Sequence, residues 1–117
     1  MIAAFTLNVS IDRRYLVAGS RQGAVNRVKE CTCTPGGKGL NVARVLHALG
    51  EDVLAGGIAG GDAGRYILRR LEAEGISHRF TPAVGESRCC INVLDLDTGA
   101  QTEYLEPGMH VSQEEYI

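Results

Sequence analysis

At 117 residues the chain is one domain at most, long enough for a modest core. Its composition, 44% hydrophobic and 22% charged, is that of an ordinary globular chain, and a net charge of −2 argues against a broad basic face for nucleic acid. No apolar run approaches the roughly 18 residues of a membrane span. Residues 1–7 carry no basic leader, so no signal peptide is expected and the cytoplasm is the expected location.

In chain order, residues 2–7 are an almost continuous apolar run, which predicts a strand buried on both faces of a parallel sheet. Asn8-Val9-Ser10-Ile11-Asp12 follows as a polar loop at the carboxyl end of that strand, where open α/β sheets bind ligands. Tyr15–Val17 and Ala24–Cys31 read as strands, the second alternating apolar and polar as in a sheet with one wet face. Next comes Thr34-Pro35-Gly36-Gly37-Lys38-Gly39-Leu40-Asn41, a glycine turn running straight into a helix. Val42, Val45, Leu46 and Leu49 fall at helical spacing and predict its inward stripe, with Gly50 as the C′ residue. Such a turn offers free N–H groups and the positive end of a helix dipole to an anion, and Lys38 adds a charge beside them. The spacing is neither a Walker A loop nor a dinucleotide fingerprint.

Val53–Ala59 predicts a second buried strand, and Asp62 an N-cap for a helix that turns Ile67, Leu68 and Leu71 inward and closes at Gly75. Strand, helix, strand, helix argues a doubly wound parallel sheet. His78–Thr81 predicts a third core strand; 88–96 and 101–105 predict a hairpin around Asp97-Thr98-Gly99, grouped with 24–31 as a small second sheet. Cys31, Cys33, Cys89 and Cys90 lack metal-site spacing and are expected to be reduced, small buried hydrophobes. Ser112 and Glu115 form a capping box, yet barely one helical turn follows. The expectation is therefore a truncated chain, a fragment that is marginal or self-associating by itself.

Leu7-Asn8-Val9-Ser10-Ile11-Asp12, Val25–Val28, Gly36–Arg44, Gly57–Gly64 and Glu86–Asn92, in this order and spacing, resemble the ribokinase/PfkB family of sugar kinases. The likeness covers essentially the whole chain and is greatest to the sugar-phosphate branch, the 1-phosphofructokinases and tagatose-6-phosphate kinases. Val9 departs from it, since that branch usually has proline there. The resemblance implies a Rossmann-like α/β core (1–12, 34–82 and 107–117) with a small β-sheet lid (about 13–33 and 86–106). It implies that Asp12 holds sugar hydroxyls, with the backbone of Gly36 and Gly37 and the side chain of Asn41 in the same pocket. Lys38 and Arg88 would face the phosphate already on the sugar, with Arg27 a weaker candidate from the lid. Family membership also implies ATP and Mg²⁺, but the catalytic aspartate and the ATP pocket belong to the carboxyl-terminal half of such kinases. No metal ligand is expected among these residues. Cys31, Cys33, His47, His78 and His110 are assigned to structure or surface.

The resulting expectation is the amino-terminal, sugar-binding part of an ATP-dependent hexose-phosphate kinase, inactive by itself. The alternative is a non-catalytic module that binds sugar phosphate or pairs with a subunit. A nucleoside or ribose kinase is disfavoured by Lys38 together with Arg88. A small-molecule sugar phosphate is the expected partner, with neither nucleic acid nor membrane, and lid strands could pair two copies into a homodimer.

Overall fold

A computed structural model describes residues 1–111. The expected capping box at Ser112 and Glu115 lies outside the described residues. Seven strands and two helices follow as β1 (Ile2–Thr6), β2 (Ser10–Val17), β3 (Val28–Gly36), α1 (Lys38–Ala48), β4 (Val53–Gly60), α2 (Gly61–Ala73), β5 (Ser77–Ala83), β6 (Arg88–Asp95) and β7 (Gln101–Leu105). They build two sheets, a parallel one ordered β1-β4-β5 and a mixed one ordered β3-β2-β6-β7.

The parallel sheet has one dressed face. On β4 the alternate residues Val53, Ala55 and Ala59 join Leu40 and Ala43 of α1 and Ile67 and Leu71 of α2 in a single core. The other face carries Phe5, whose ring lies across Gly56, and no helix among the described residues covers it. This corrects the expectation for residues 2–7. β1 is an edge strand with one bare face, so Ile2 and Phe5 are exposed rather than buried on both sides.

Helix α1 also turns differently from its predicted stripe. Leu40 and Ala43 are fully buried and Leu46 packs against the core, whereas Val42, Val45 and Leu49 are exposed. Two apolar rows share this short helix, and the row starting at Leu40 meets the sheet. In α2 Ile67 and Leu71 are buried as predicted, with Leu68 packed against the core from a half-buried position. Both helices end in a Schellman arrangement, with Glu51 N–H donating to Leu46 O and Ile76 N–H to Leu71 O. Gly50 and Gly75 take the expected C′ places. Asp62 is not the N-cap of α2; Gly60 is, without a side-chain cap. The Glu86 carboxylate does that work from another segment, accepting from Asp62 N–H at 3.1 Å and Ala63 N–H at 2.7 Å.

The mixed sheet reaches further than expected. Ser10-Ile11-Asp12 is the start of β2 rather than a loop, and Thr34-Pro35-Gly36 is the end of β3. At the other end, residues 24–27 are not strand. Asn26 holds them in a turn by accepting from Arg21 N–H and donating to Arg21 O, both at 2.8 Å. Pro35 and Pro82 sit on edge strands, where a missing N–H costs no ladder bond. The β6–β7 hairpin forms as predicted around residues 97–99.

Asp95 ties the far end of this sheet together. Its carboxylate accepts from Asp97 N–H at 2.9 Å and from Gly19 and Ser20 N–H at 3.1 Å, and these bonds, that to Asp97 foremost, hold it below the ordinary aspartate range. A lowered native value stabilises the fold above the unfolded aspartate value of about 3.9 and ceases to do so as pH falls through the native one. Asp95→Asn is therefore expected to unfold at lower temperature than the unchanged chain at pH 7, with the gap closing below about pH 4. An unchanged gap under acid, in melts followed by circular dichroism, would contradict this role.

Candidate functional site

The chain passes between its two sheets repeatedly at one place. Residues 7–9 carry it from β1 into β2, Gly37 from β3 into α1, and 84–87 from β5 into β6. The first and third lie at the carboxyl ends of the parallel strands β1 and β5, where an α/β sheet opens a crevice, and the antiparallel pair Ser10–Gly36 brings the end of β3 to the same place. Ser87 ties the last of them to the end of β4, donating its N–H to Gly60 O at 2.9 Å while its hydroxyl accepts from Gly60 N–H at 3.0 Å.

A pocket of about 290 Å³ occupies this crossing, and Asp12, Gly37, Lys38, Asn41 and Arg88 line it. Each arrives by a local rule. Gly37 has φ 114° and ψ 149°, a backbone region that side chains with a Cβ rarely enter, and this turn sends the chain from β3 straight into α1. Among the described residues no side chain caps α1, so its first N–H groups open beside Lys38 at the positive end of the helix dipole. Gly36 meets the Asp12 carboxylate so closely that a Cβ there would overlap it. Asp12 also accepts a 2.6 Å hydrogen bond from Ser10 Oγ, which fixes one carboxylate oxygen, Oδ1, and leaves Oδ2 for a ligand. Arg88 donates through Nη2 to Asn8 O at 3.4 Å, while its Nε is buried without a hydrogen-bond partner among the described residues.

Six of the seven residues expected at the site are thus brought together, Gly36 by its contact with Asp12. Arg27 is not. It precedes β3 in the exposed turn, and Val28 pairs with Val17 at the opposite end of the ladder from the Ser10–Gly36 pair. Eight residues of strand separate Val28 from Gly36, roughly 26 Å at strand rise.

The pocket also gathers residues that the sequence reading did not name for the site: Ser10, Cys90 and Asn92, which lie within the motifs, and Glu103, which lies outside them. One signal was present. Arg88, Cys90 and Asn92 alternate on one face of β6, and the hairpin register sets Glu103 opposite Asn92.

The thiols behave differently from expectation in one respect. All four are free, but Cys31 is exposed, and only Cys90 is fully buried. Arg13 donates to Cys89 Sγ at 3.1 Å and to Cys33 Sγ at 3.6 Å. Burial pushes the Cys33 thiol up, and neighbouring Cys31 adds to this against the pull of Arg13. Raised thiols of this kind are poor nucleophiles.

Comparison with known proteins agrees with this architecture. The model of the pfkB family of carbohydrate kinases matches residues 5–115. Phosphofructokinase-2 from Escherichia coli, solved in complex with fructose-6-phosphate, aligns with a TM-score of 0.93 at 27% identity, over 98% of this chain and 38% of its own. A Thermotoga maritima protein described provisionally as a 1-phosphofructokinase aligns with a TM-score of 0.91 at 28% identity, over 99% and 38%. A Staphylococcus aureus protein, provisionally a phosphofructokinase, shares 32% identity with a TM-score of 0.87, over 99% and 37%. The chain therefore spans well under half the length of these structures. Two sheets crossed at a glycine turn, a pocket at that crossing and a family match along nearly every described residue lead to one assignment: the chain belongs to the pfkB family of carbohydrate kinases.

Proposed function

We propose that this chain supplies the sugar-phosphate side of an ATP-dependent kinase acting on a ketohexose phosphate, of the 1-phosphofructokinase or tagatose-6-phosphate kinase type. The observation that carries this is the buried, unpartnered Nε of Arg88 in the same pocket as Lys38 and the Asp12 carboxylate. A planar guanidinium and an ammonium suit a phosphate dianion, and a carboxylate suits adjacent hydroxyl donors. Gly36 lets Asp12 sit against the turn, and Asn41 faces the sugar from the first turn of α1. The mixed sheet is the lid over this pocket, and its edge strands β3 and β7 offer a surface for pairing two copies.

ATP and Mg²⁺ come with the family. Among the described residues no group of three His, Cys, Asp or Glu side chains gathers to hold a metal ion. In this reading the 117-residue chain binds sugar phosphate and does not turn over ATP.

A second reading, a non-catalytic module that pairs with another subunit, draws on the exposed Phe5, Val42, Val45 and Leu49 and on the edge position of β1 among the described strands. Isothermal titration with fructose 1-phosphate, fructose 6-phosphate and tagatose 6-phosphate tests the site, alongside a coupled ATP assay. Arg88→Ala is expected to weaken the ligand that binds by about tenfold to a hundredfold. Equal affinity in the variant would remove Arg88 from the phosphate, and ATP turnover by the chain alone would sink the inactivity.

A further inference from the structure

The pocket has a direction. Lys38 and Arg88 stand at one end. Asn92, on the same face of β6 but four residues along, and Glu103, its neighbour across the hairpin, stand at the other. Four residues of strand separate the two ends by roughly 13 Å along β6. Asn92 Nδ2 is committed, donating to Gln101 Oε1 at 3.2 Å, while Asn92 Oδ1 is buried with no partner among the described residues. A buried acceptor left unmatched costs stability unless a donor reaches it. The Glu103 carboxylate beside it is also an acceptor only. This end of the pocket therefore presents oxygens that ask for O–H or N–H donors.

We propose that Asn92 and Glu103 form a second recognition point, which accepts hydrogen bonds from the hydroxyls at the end of the substrate away from its phosphate. They thereby select a six-carbon sugar phosphate over a short polyol phosphate that fills only the cationic end. The inference rests on the sugar-phosphate reading of the pocket and adds a length and polarity requirement to it. Asp12 acts between the two ends, on the strand that pairs with β6.

The test is titration of the whole chain with fructose 6-phosphate, fructose 1-phosphate and glycerol 3-phosphate, repeated with Asn92→Leu, Asn92→Asp and Glu103→Leu. Asn92→Leu and Glu103→Leu, which remove the acceptor oxygens, are each expected to weaken the preferred hexose phosphate by about tenfold or more. Glycerol 3-phosphate should change by less than about twofold, and Asn92→Asp, which keeps an acceptor oxygen, should retain hexose selectivity. Parallel weakening of both ligand classes would show a merely structural effect and overturn the proposal, as would hexose affinity unchanged in both variants. Failure of the unchanged chain to bind any of the three would instead overturn the sugar-phosphate reading, and the inference with it.

Discussion

Replacing Leu40 with alanine is expected to lower the unfolding free energy by roughly 2–5 kcal/mol, the range for a fully buried leucine. Leu40 is 0% exposed, sits in the first turn of α1 and belongs to the core shared with Val9, Ile11 and Ala55. Domains of this size have only about 5–15 kcal/mol in hand, so such a loss is a large share of the whole. The informative comparison is Leu49→Ala on the same helix. Leu49 is 73% exposed, and its truncation should fall within about 0.5 kcal/mol of the unchanged chain. Urea unfolding followed by circular dichroism separates the two. Equal losses would show that the outer row Val42, Val45 and Leu49 is covered in solution, as it would be in a self-associated chain. A negligible loss at Leu40 would contradict the packing of α1 on the parallel sheet.

Gly37→Ala is expected to damage stability and ligand binding together. Its φ of 114° and ψ of 149° cost a residue with a Cβ about 1–3 kcal/mol, and that Cβ would stand 2.6 Å from Thr6 Cγ2. The turn must shift to relieve this contact. Lys38 and Asn41 follow directly on α1 and would move with it relative to Asp12 on β2. A displacement of that kind should reduce sugar-phosphate affinity by more than about tenfold, because several hydrogen bonds lose alignment at once. Gly50→Ala is the control. Gly50 also has positive φ but nothing within contact distance of its Cβ, and it lies at the far end of α1 from the pocket. It should lose about 1 kcal/mol of stability with affinity intact. Gly37→Ala with unchanged affinity would mean that the turn does not position the site.

The elements themselves were legible because each has a local cause. The Gly50 and Gly75 stops, the 88–105 hairpin and the β4 and β5 runs follow from turn chemistry and from apolar periodicity, both of which are read over a few residues. Asp12, Gly36, Gly37, Lys38, Asn41 and Arg88 were legible as a set through family-like motifs, and the threading of the chain explains their meeting: each lies in, or within a few residues of, a segment that crosses between the two sheets.

Other features depended on what lies across from a residue, which no local pattern encodes. The inward row of α1 could not be chosen from spacing, because both rows are apolar and only the sheet beneath selects Leu40 and Ala43. Asp62 has the chemistry of an N-cap, yet Glu86, 24 residues later in the chain, takes the N–H groups of that first turn. β1 reads as buried from its composition, but its edge position and bare face leave Phe5 exposed. Arg27 shares a motif with the lid and stands at the wrong end of β3 to reach the pocket, since strand length converts sequence distance directly into ångströms. Asn92 and Glu103 join the site only through the pairing register of β6 and β7. Sequence alone thus determined both helices, the strands of the parallel sheet and the hairpin, though not the ends of β2 and β3, because backbone propensity and hydrophobic period act locally. Tertiary structure decided which face is buried, which carboxylate caps a helix and which side chains share the pocket, because those depend on partners brought from distant parts of the chain.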